Sequence, residues 1–178
     1  LSPALDNITN VTTRLVIDNL DQVTEITLPM LQRVGSGIRV YSLARATSFS
    51  LPLLTSVGGP VYVAGNGRMT TISVPQLPSA GGSITLEQSH AVTAVDFGSL
   101  VTVNGSLTLR HMAMLSAAAI SNGFSNVVTV ASTLEVRDVS RRGQGYQSGL
   151  AFENLRSTGN LNIRDSALIT LSFPVLLT

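Results

Sequence analysis

Cysteine, tryptophan and lysine are all missing from this chain of 178 residues. Without cysteine there is no disulfide scaffold, no thiolate metal site and no cysteine nucleophile. Without lysine there is no glycine-rich phosphate loop of the kind that needs one. All eleven basic residues are arginine, a choice that nothing in the sequence explains. Charge is scarce as well: eleven basic against ten acidic residues leave a net charge of +1. A nucleic-acid binder shows a clustered basic excess, and none is present. No apolar run approaches the roughly 18 residues of a membrane-spanning helix. The 44% hydrophobic content and mean hydropathy of +0.34 are therefore expected to be spent on a core. The chain opens at Leu1 with neither an initiator Met nor a signal-peptide pattern, as expected of a mature, processed or excised segment.

What is present is a repeat, the signal to look for first. Short alternating segments recur at Leu15-Val16-Ile17, Ile38-Arg39-Val40, Val61-Tyr62-Val63, Ile84-Thr85-Leu86 and Leu107-Thr108-Leu109, each start 23 residues after the last. Two more, Leu134-Glu135-Val136 and Leu161-Asn162-Ile163, follow at intervals of 27, one repeat plus four inserted residues. Numbering each repeat from its first strand residue brings like residues into columns. Position 12 holds Ile26, Phe49, Ile72 and Val95; position 14 holds Leu28, Leu51, Val74 and Phe97. Position 17 is leucine in all four repeats, Leu31, Leu54, Leu77 and Leu100, and position 20 holds Val34, Val57, Ala80 and Val103. Position 15 is Pro29, Pro52 and Pro75, then Gly98; positions 21 and 22 read Gly35-Ser36, Gly58-Gly59, Gly81-Gly82 and Asn104-Gly105.

Apolar residues at positions 1 and 3, and again at 12 and 14, alternate with polar ones and predict two short strands with one face buried. Proline lacks a ladder donor and ends the second strand. The glycine pair is expected to form a corner with positive φ. One such coil cannot bury its apolar residues alone, so successive coils must stack. The fold class is all-β: a right-handed β-helix-like solenoid of about seven coils spanning 1–178 as a single repeat domain, with an incomplete coil at each end. Seven leading strands at roughly 4.8 Å give a rod on the order of 35 Å long. Ala117-Ala118-Ala119-Ile120, in the longer fifth coil, is expected to form one helical turn.

The leading strand, the apolar-Pro-x-Leu step and the Val-Gly-Gly corner together resemble the receptor L-domain class, a relative of leucine-rich repeats. Its members occur in growth-factor-receptor ectodomains and in fungal, protist and bacterial surface proteins. The resemblance spans nearly the whole chain. It implies a solenoid on the outside of cells, and it brings no catalytic residues with it. Unlike the receptor members, the chain has no cysteines.

Both extremities read as open coils. Leu1 and Leu5 at one end and Phe173, Leu176 and Leu177 at the other are expected to need covering, because no polar or helical cap is visible. Either the parent chain carries more repeats, or a second copy stacks on each end and builds a non-closing, head-to-tail filament. Three sequons, at Asn7, Asn10 and Asn104, are candidate glycosylation sites; the first two are expected in extra residues of the first corner and the third at the corner before the fifth leading strand. Position 10 stacks Thr24, Thr47, Thr70 and Thr93 into a hydroxyl ladder. It serves either the strands themselves or an interaction or O-glycan face; an ice-binding array fits poorly, because the position-2 column is heterogeneous. Position 4 brings Arg110, Arg137 and Arg164 together at about 5 Å spacing, which costs energy unless anions intervene. Asp138, Asp165 and Glu135 supply internal neutralisation, or an anionic glycan or protein partner does. The insertion with Arg141, Arg142 and Tyr146 is a candidate contact loop.

Catalysis has little to stand on. His90 and His111 lie at positions 7 and 5 of adjacent coils with no orienting acid apparent, and the carboxylates are scattered among columns. The expected function is thus structural or adhesive, extracellular and glycosylated, with no cofactor, no metal, no nucleic acid and no membrane insertion. Its expected partners are copies of itself, further repeats of the same chain, or glycans. A recognition module for a protein or glycan is the alternative, and a carbohydrate-active enzyme a more distant one.

Overall fold

The computed structural model describes residues 5–139, 149–164 and 171–172. It is a β-solenoid of about six turns built from parallel strands, with a single short helix among the described residues. The leading strands Leu15–Asp18, Ile38–Tyr41, Val61–Ala64, Ile84–Glu87 and Leu107–Met112 stack in register, followed by Thr129–Val139 and Ser157–Arg164. Leu15 pairs with Ile38, Ile38 with Val61, Val61 with Ile84, Ile84 with Leu107, Leu107 with Leu134 and Leu134 with Leu161. The 23-residue spacing is therefore the length of one turn of backbone.

Each regular turn has three strands. After the leading strand comes a three-residue strand at positions 11–13: Glu25–Thr27, Ser48–Ser50, Thr71–Ser73 and Ala94–Asp96 form a second sheet. A two-residue strand at positions 19–20 then runs into the next corner: Asn10–Val11, Arg33–Val34, Ser56–Val57, Ser79–Ala80 and Thr102–Val103. Apolar side chains from all three sides meet inside. Positions 1, 3, 12, 14, 17 and 20 are buried in the central coils, and position 9 adds Ala46, Met69, Val92 and Leu115.

The expected helical turn is a seven-residue helix, Ala117–Gly123, capped by Ser116, whose Oγ accepts from the Ala119 amide at 3.1 Å. It stands where the fifth strand of the second sheet belongs and packs on Ala94–Asp96. Seven helical residues replace three strand residues, which accounts for the first four-residue insertion. Phe124 thereby reaches position 14, and its ring stacks on that of Phe97 at 5.1 Å. Along the following coil, Ser157 and Thr158 pair 28 residues away from their partners, and an irregularity between Val130 and Thr133 restores the 27-residue offset.

The corner glycines correct the expectation drawn from them, because among the described glycines only Gly65 has positive φ. At positions 21 and 22 the reason for glycine is space. A Cβ at Gly58 would lie 2.1 Å from the Gly35 carbonyl oxygen, and one at Gly81 would lie 2.3 Å from that of Gly58. At Gly58 and Gly81 the coils approach so closely that hydrogen is the only substituent with room, whereas Ser36 and Asn104 occupy these positions in other coils. Positive φ occurs instead at position 5, in six consecutive coils: Asn19, Ser42, Gly65, Gln88, His111 and Asp138, with φ between 50° and 66°. This is where the chain leaves the leading strand. Left-handed backbone costs a non-glycine residue roughly 1–2 kcal/mol, and the amides of Ser42, Gly65 and Gln88 each donate to the position-4 carbonyl of the next coil.

Just past this corner, position 6 is buried from the second coil on and in two coils polar. The Asn66 Oδ1 accepts from the Leu43 amide at 3.1 Å, its Nδ2 donates to the Val40 carbonyl at 3.3 Å, and the Asn66 amide donates to Ser89 Oγ at 3.3 Å. These side chains complete the ladder where the backbone has turned away, as buried amides require.

Two stability measurements check this account. Gly58→Ala is expected to lose about 1–3 kcal/mol by overpacking backbone against backbone, while Gly67→Ala, where a methyl meets no heavy atom within 4 Å, stays within error in denaturant titrations. Asn66→Ala leaves the Leu43 amide and Val40 carbonyl unpaired in the interior and is expected to cost about 1–3 kcal/mol.

Candidate functional site

The solvent face of the leading sheet carries the densest polar chemistry of the described residues. Positions 2 and 4 point outward from it because positions 1 and 3 point inward. In three successive coils these outward columns read Arg39 and Tyr41, Tyr62 and Ala64, then Thr85 and Glu87. The Arg39 guanidinium carbon sits 5.5 Å from the ring centroids of both Tyr41 and Tyr62. Tyr41 donates its hydroxyl to Asp18 Oδ2 at 2.6 Å, one coil back, and Tyr62 donates to Glu87 Oε1 at 2.9 Å, one coil on. Glu87 Oε2 also meets Arg110 Nη2 at 3.1 Å. The result is a continuous charged and aromatic strip from Asp18 to Arg110.

Both tyrosine hydroxyls are held above their ordinary pKa. For Tyr41 the first cause is the hydrogen bond to the Asp18 carboxylate, with desolvation adding to it. For Tyr62 burial comes first, then the hydrogen bond to Glu87; the Arg39 charge opposes both shifts.

The arginine column stacks as expected, Arg110 beside Arg137 and Arg137 beside Arg164. Arg110 is answered by Glu87, which lies at the same position one coil earlier. Arg137 Nε lies 3.8 Å from Asp138 Oδ2. His111 does have an acid beside it: its Nδ1 is 2.8 Å from the same oxygen, Asp138 Oδ2. The pair was legible, since 111 and 138 both fall at position 5 once the insertion is allowed for. His90, by contrast, is exposed, and its carbonyl accepts from Met114. Among the described residues no three histidine or acidic side chains converge as metal ligands, and no helix is long and apolar enough to cross a membrane.

The threonine column is exposed along its length. The hydroxyls of Thr47, Thr70 and Thr93 each donate to the carbonyl of the threonine one coil earlier, at 3.0, 3.0 and 3.4 Å. Those bonds use the hydroxyl hydrogens internally and leave the oxygen lone pairs to solvent. Asn7 and Asn104 occupy exposed turns or bends; Asn10 is also exposed but belongs to the strand Asn10–Val11, opposite Arg33, rather than to extra corner residues. Leu5 packs part-buried against the core. Leu1, Phe173, Leu176 and Leu177, the loop residues Arg141, Arg142 and Tyr146, and Asp165 lie outside the described residues.

At the first coil, Leu5, Ile8, Val11, Leu15, Leu20 and Leu28 line an open hollow of about 290 Å³. Val16 and Leu20 are 47% and 38% exposed there. Among the described residues, Leu15–Asp18, Asn10–Val11 and Glu25–Thr27 are the terminal strands of their ladders.

Comparison with known proteins brings no relative to set beside this geometry: no protein-family model, no curated protein and no solved structure matches the chain.

The raised hydroxyls set a prediction at high pH. A neutral tyrosine favoured by the fold stabilises it fully below pH 10, and that contribution is lost as the pH climbs through the folded value. Absorbance at 295 nm is expected to show two tyrosines ionising above the ordinary value of 10, with Tyr41→Phe and Tyr62→Phe each removing one late step.

Proposed function

We propose that this protein is an extracellular structural or adhesive β-solenoid. It works by stacking: its coils are continued by further repeats of the same chain or by the end of another copy, and its faces display hydroxyls and sugars to the surroundings. The observation that carries the reading is the first coil, where three ladders end together beside an apolar hollow lined by Leu5, Ile8, Val11, Leu15, Leu20 and Leu28. A coil laid on it completes the ladders and covers the hollow at once. Fully burying one such side chain is worth about 1.5–3 kcal/mol, so several partly covered ones drive the contact strongly. One end of a solenoid is not the same surface as the other, so a contact between copies runs head to tail and does not close.

Exposed asparagines in the sequons of Asn7, Asn10 and Asn104 fit a secreted protein; Asn7 and Asn10 lie in the first coil, at the rim of the stacking surface, and Asn104 stands several coils away from it. The role is passive and needs no cofactor or catalytic group. Resistance to unfolding comes from ladder bonds and a core continuous from coil to coil.

A recognition role is favoured by a different observation, the strip of Arg39, Tyr41, Tyr62 and Glu87 on the leading sheet. Aromatic and arginine side chains on a rigid sheet are what binding surfaces are rich in.

Negative-stain images of the purified chain, with and without its native flanking sequence, test the first reading. Fibres whose length grows with concentration are the expected result for a polymerising chain, and a rod lengthened by the flanks is expected for a longer array. Monodisperse short rods in both cases would overturn it. Intact mass before and after N-glycosidase treatment of the secreted material is expected to shift by at least one glycan.

A further inference from the structure

Two pairs of arginines on or beside the leading sheet differ in their surroundings. Arg110 and Arg137 have carboxylates beside them, Glu87 and Asp138. Arg14 and Arg39 do not: both are exposed, and among the described residues neither guanidinium has a hydrogen-bond acceptor or an ion-pair partner. They line one open cleft of about 250 Å³, together with Gly37, Pro60, Tyr62 and Thr85. No acidic residue lines it. The carboxylates of the adjoining columns, Asp18 and Glu87, are already engaged by the tyrosine hydroxyls.

Arg39 is also held in place. Its guanidinium lies over two rings at 5.5 Å, and stacking of this kind restrains the group while leaving its N–H edges available. A planar, restrained and unpartnered fork of donors matches a carboxylate bidentately. A second guanidinium in the same cleft adds attraction for negative charge without adding a competing acid.

We infer that this cleft binds the carboxylate-bearing sugar units of an acidic polysaccharide, a polyuronate. Arg39 takes the carboxylate, Arg14 supports it, and Thr85 offers a hydroxyl to the sugar beside the apolar edges of Pro60 and Tyr62. An acidic peptide is the poorer fit, because the backbone groups of Ile38–Tyr41, Val61–Ala64 and Ile84–Glu87 are consumed by pairing on both sides. A peptide laid across this face has no strand edge to join, so only its side chains could be read. The cleft is open rather than enclosed, which suits one unit of a chain that enters and leaves along the surface. The inference rests on the extracellular placement proposed above, where such polymers are met.

Isothermal titration of short oligogalacturonate into the whole chain at low salt tests it. The expected results are saturable binding, binding about tenfold weaker or worse for the fully methyl-esterified oligomer, and a loss of about tenfold or more in Arg39→Ala. Arg39→Lys is expected to fall between, having kept the charge and lost the fork, and Arg68→Ala, an exposed arginine outside the cleft lining, to bind as the parent does. Arg39 is exposed, so an unchanged thermal midpoint in Arg39→Ala confirms that the fold is intact. Equal binding of ester and acid, undiminished binding by Arg39→Ala, absence of binding, or equally tight binding of polyglutamate would each overturn the inference. A secreted, fibre-forming protein that ignores uronate sinks this inference alone. Uronate binding by a chain found inside cells sinks the extracellular reading alone.

Discussion

Every feature of this protein depends on one contact: the backbone of each coil resting on the carbonyls of the coil before it. At the corner the separation is so small that the Gly58 α-carbon leaves no room for a methyl above the Gly35 carbonyl. That closeness fixes the register of all three strand columns, because a one-residue slip would turn the buried face of a strand outward. It also makes the fold additive. A coil has no core of its own, and its apolar residues are covered only by the coils above and below. The same dependence explains why the first coil, with Val16 and Leu20 exposed beside an apolar hollow, differs so much from the sealed coils in the middle.

Stacking governs the polar chemistry as firmly as the core. Side chains one coil apart become neighbours, so charges that are distant in sequence are partners in space. Glu87 answers Arg110, Asp138 meets both His111 and Arg137, and Asp18 accepts from Tyr41. Arg110 and Arg137, which the column pattern singled out, are among those the fold neutralises. Arg14 and Arg39, which no column singled out, share a cleft and have donors left to offer. The inferred polyuronate cleft therefore lies on the same face as the predicted arginine column, with Arg39 three coils before Arg110.

Much of the architecture was legible because each coil repeats its alternation with few exceptions. Ile26, Phe49, Ile72 and Val95 differ in shape yet all satisfy one requirement, an apolar side chain facing inward, and the column survives substitution. The left-handed corner at position 5 was not legible for the opposite reason. Asn19, Ser42, Gln88, His111 and Asp138 share no side-chain character, since what the coil demands there is a backbone angle, and the glycines that signal such angles stand elsewhere for steric reasons. The helix Ala117–Gly123 was partly visible in its alanines, but its service as a four-residue spacer between Val95 and Phe124 emerged only from the register.

The amino-acid sequence by itself determined the period, the strand columns, the inward faces and hence a stacked all-β coil, because hydrophobic alternation and repeat length act locally and survive in one dimension. The three-dimensional path of the coil decided which corner turns left-handed, why glycine is required where it is, and which charges meet. Those outcomes depend on distances between residues some 23 to 27 positions apart, set by how closely one turn lies on the next and in what direction each side chain leaves it.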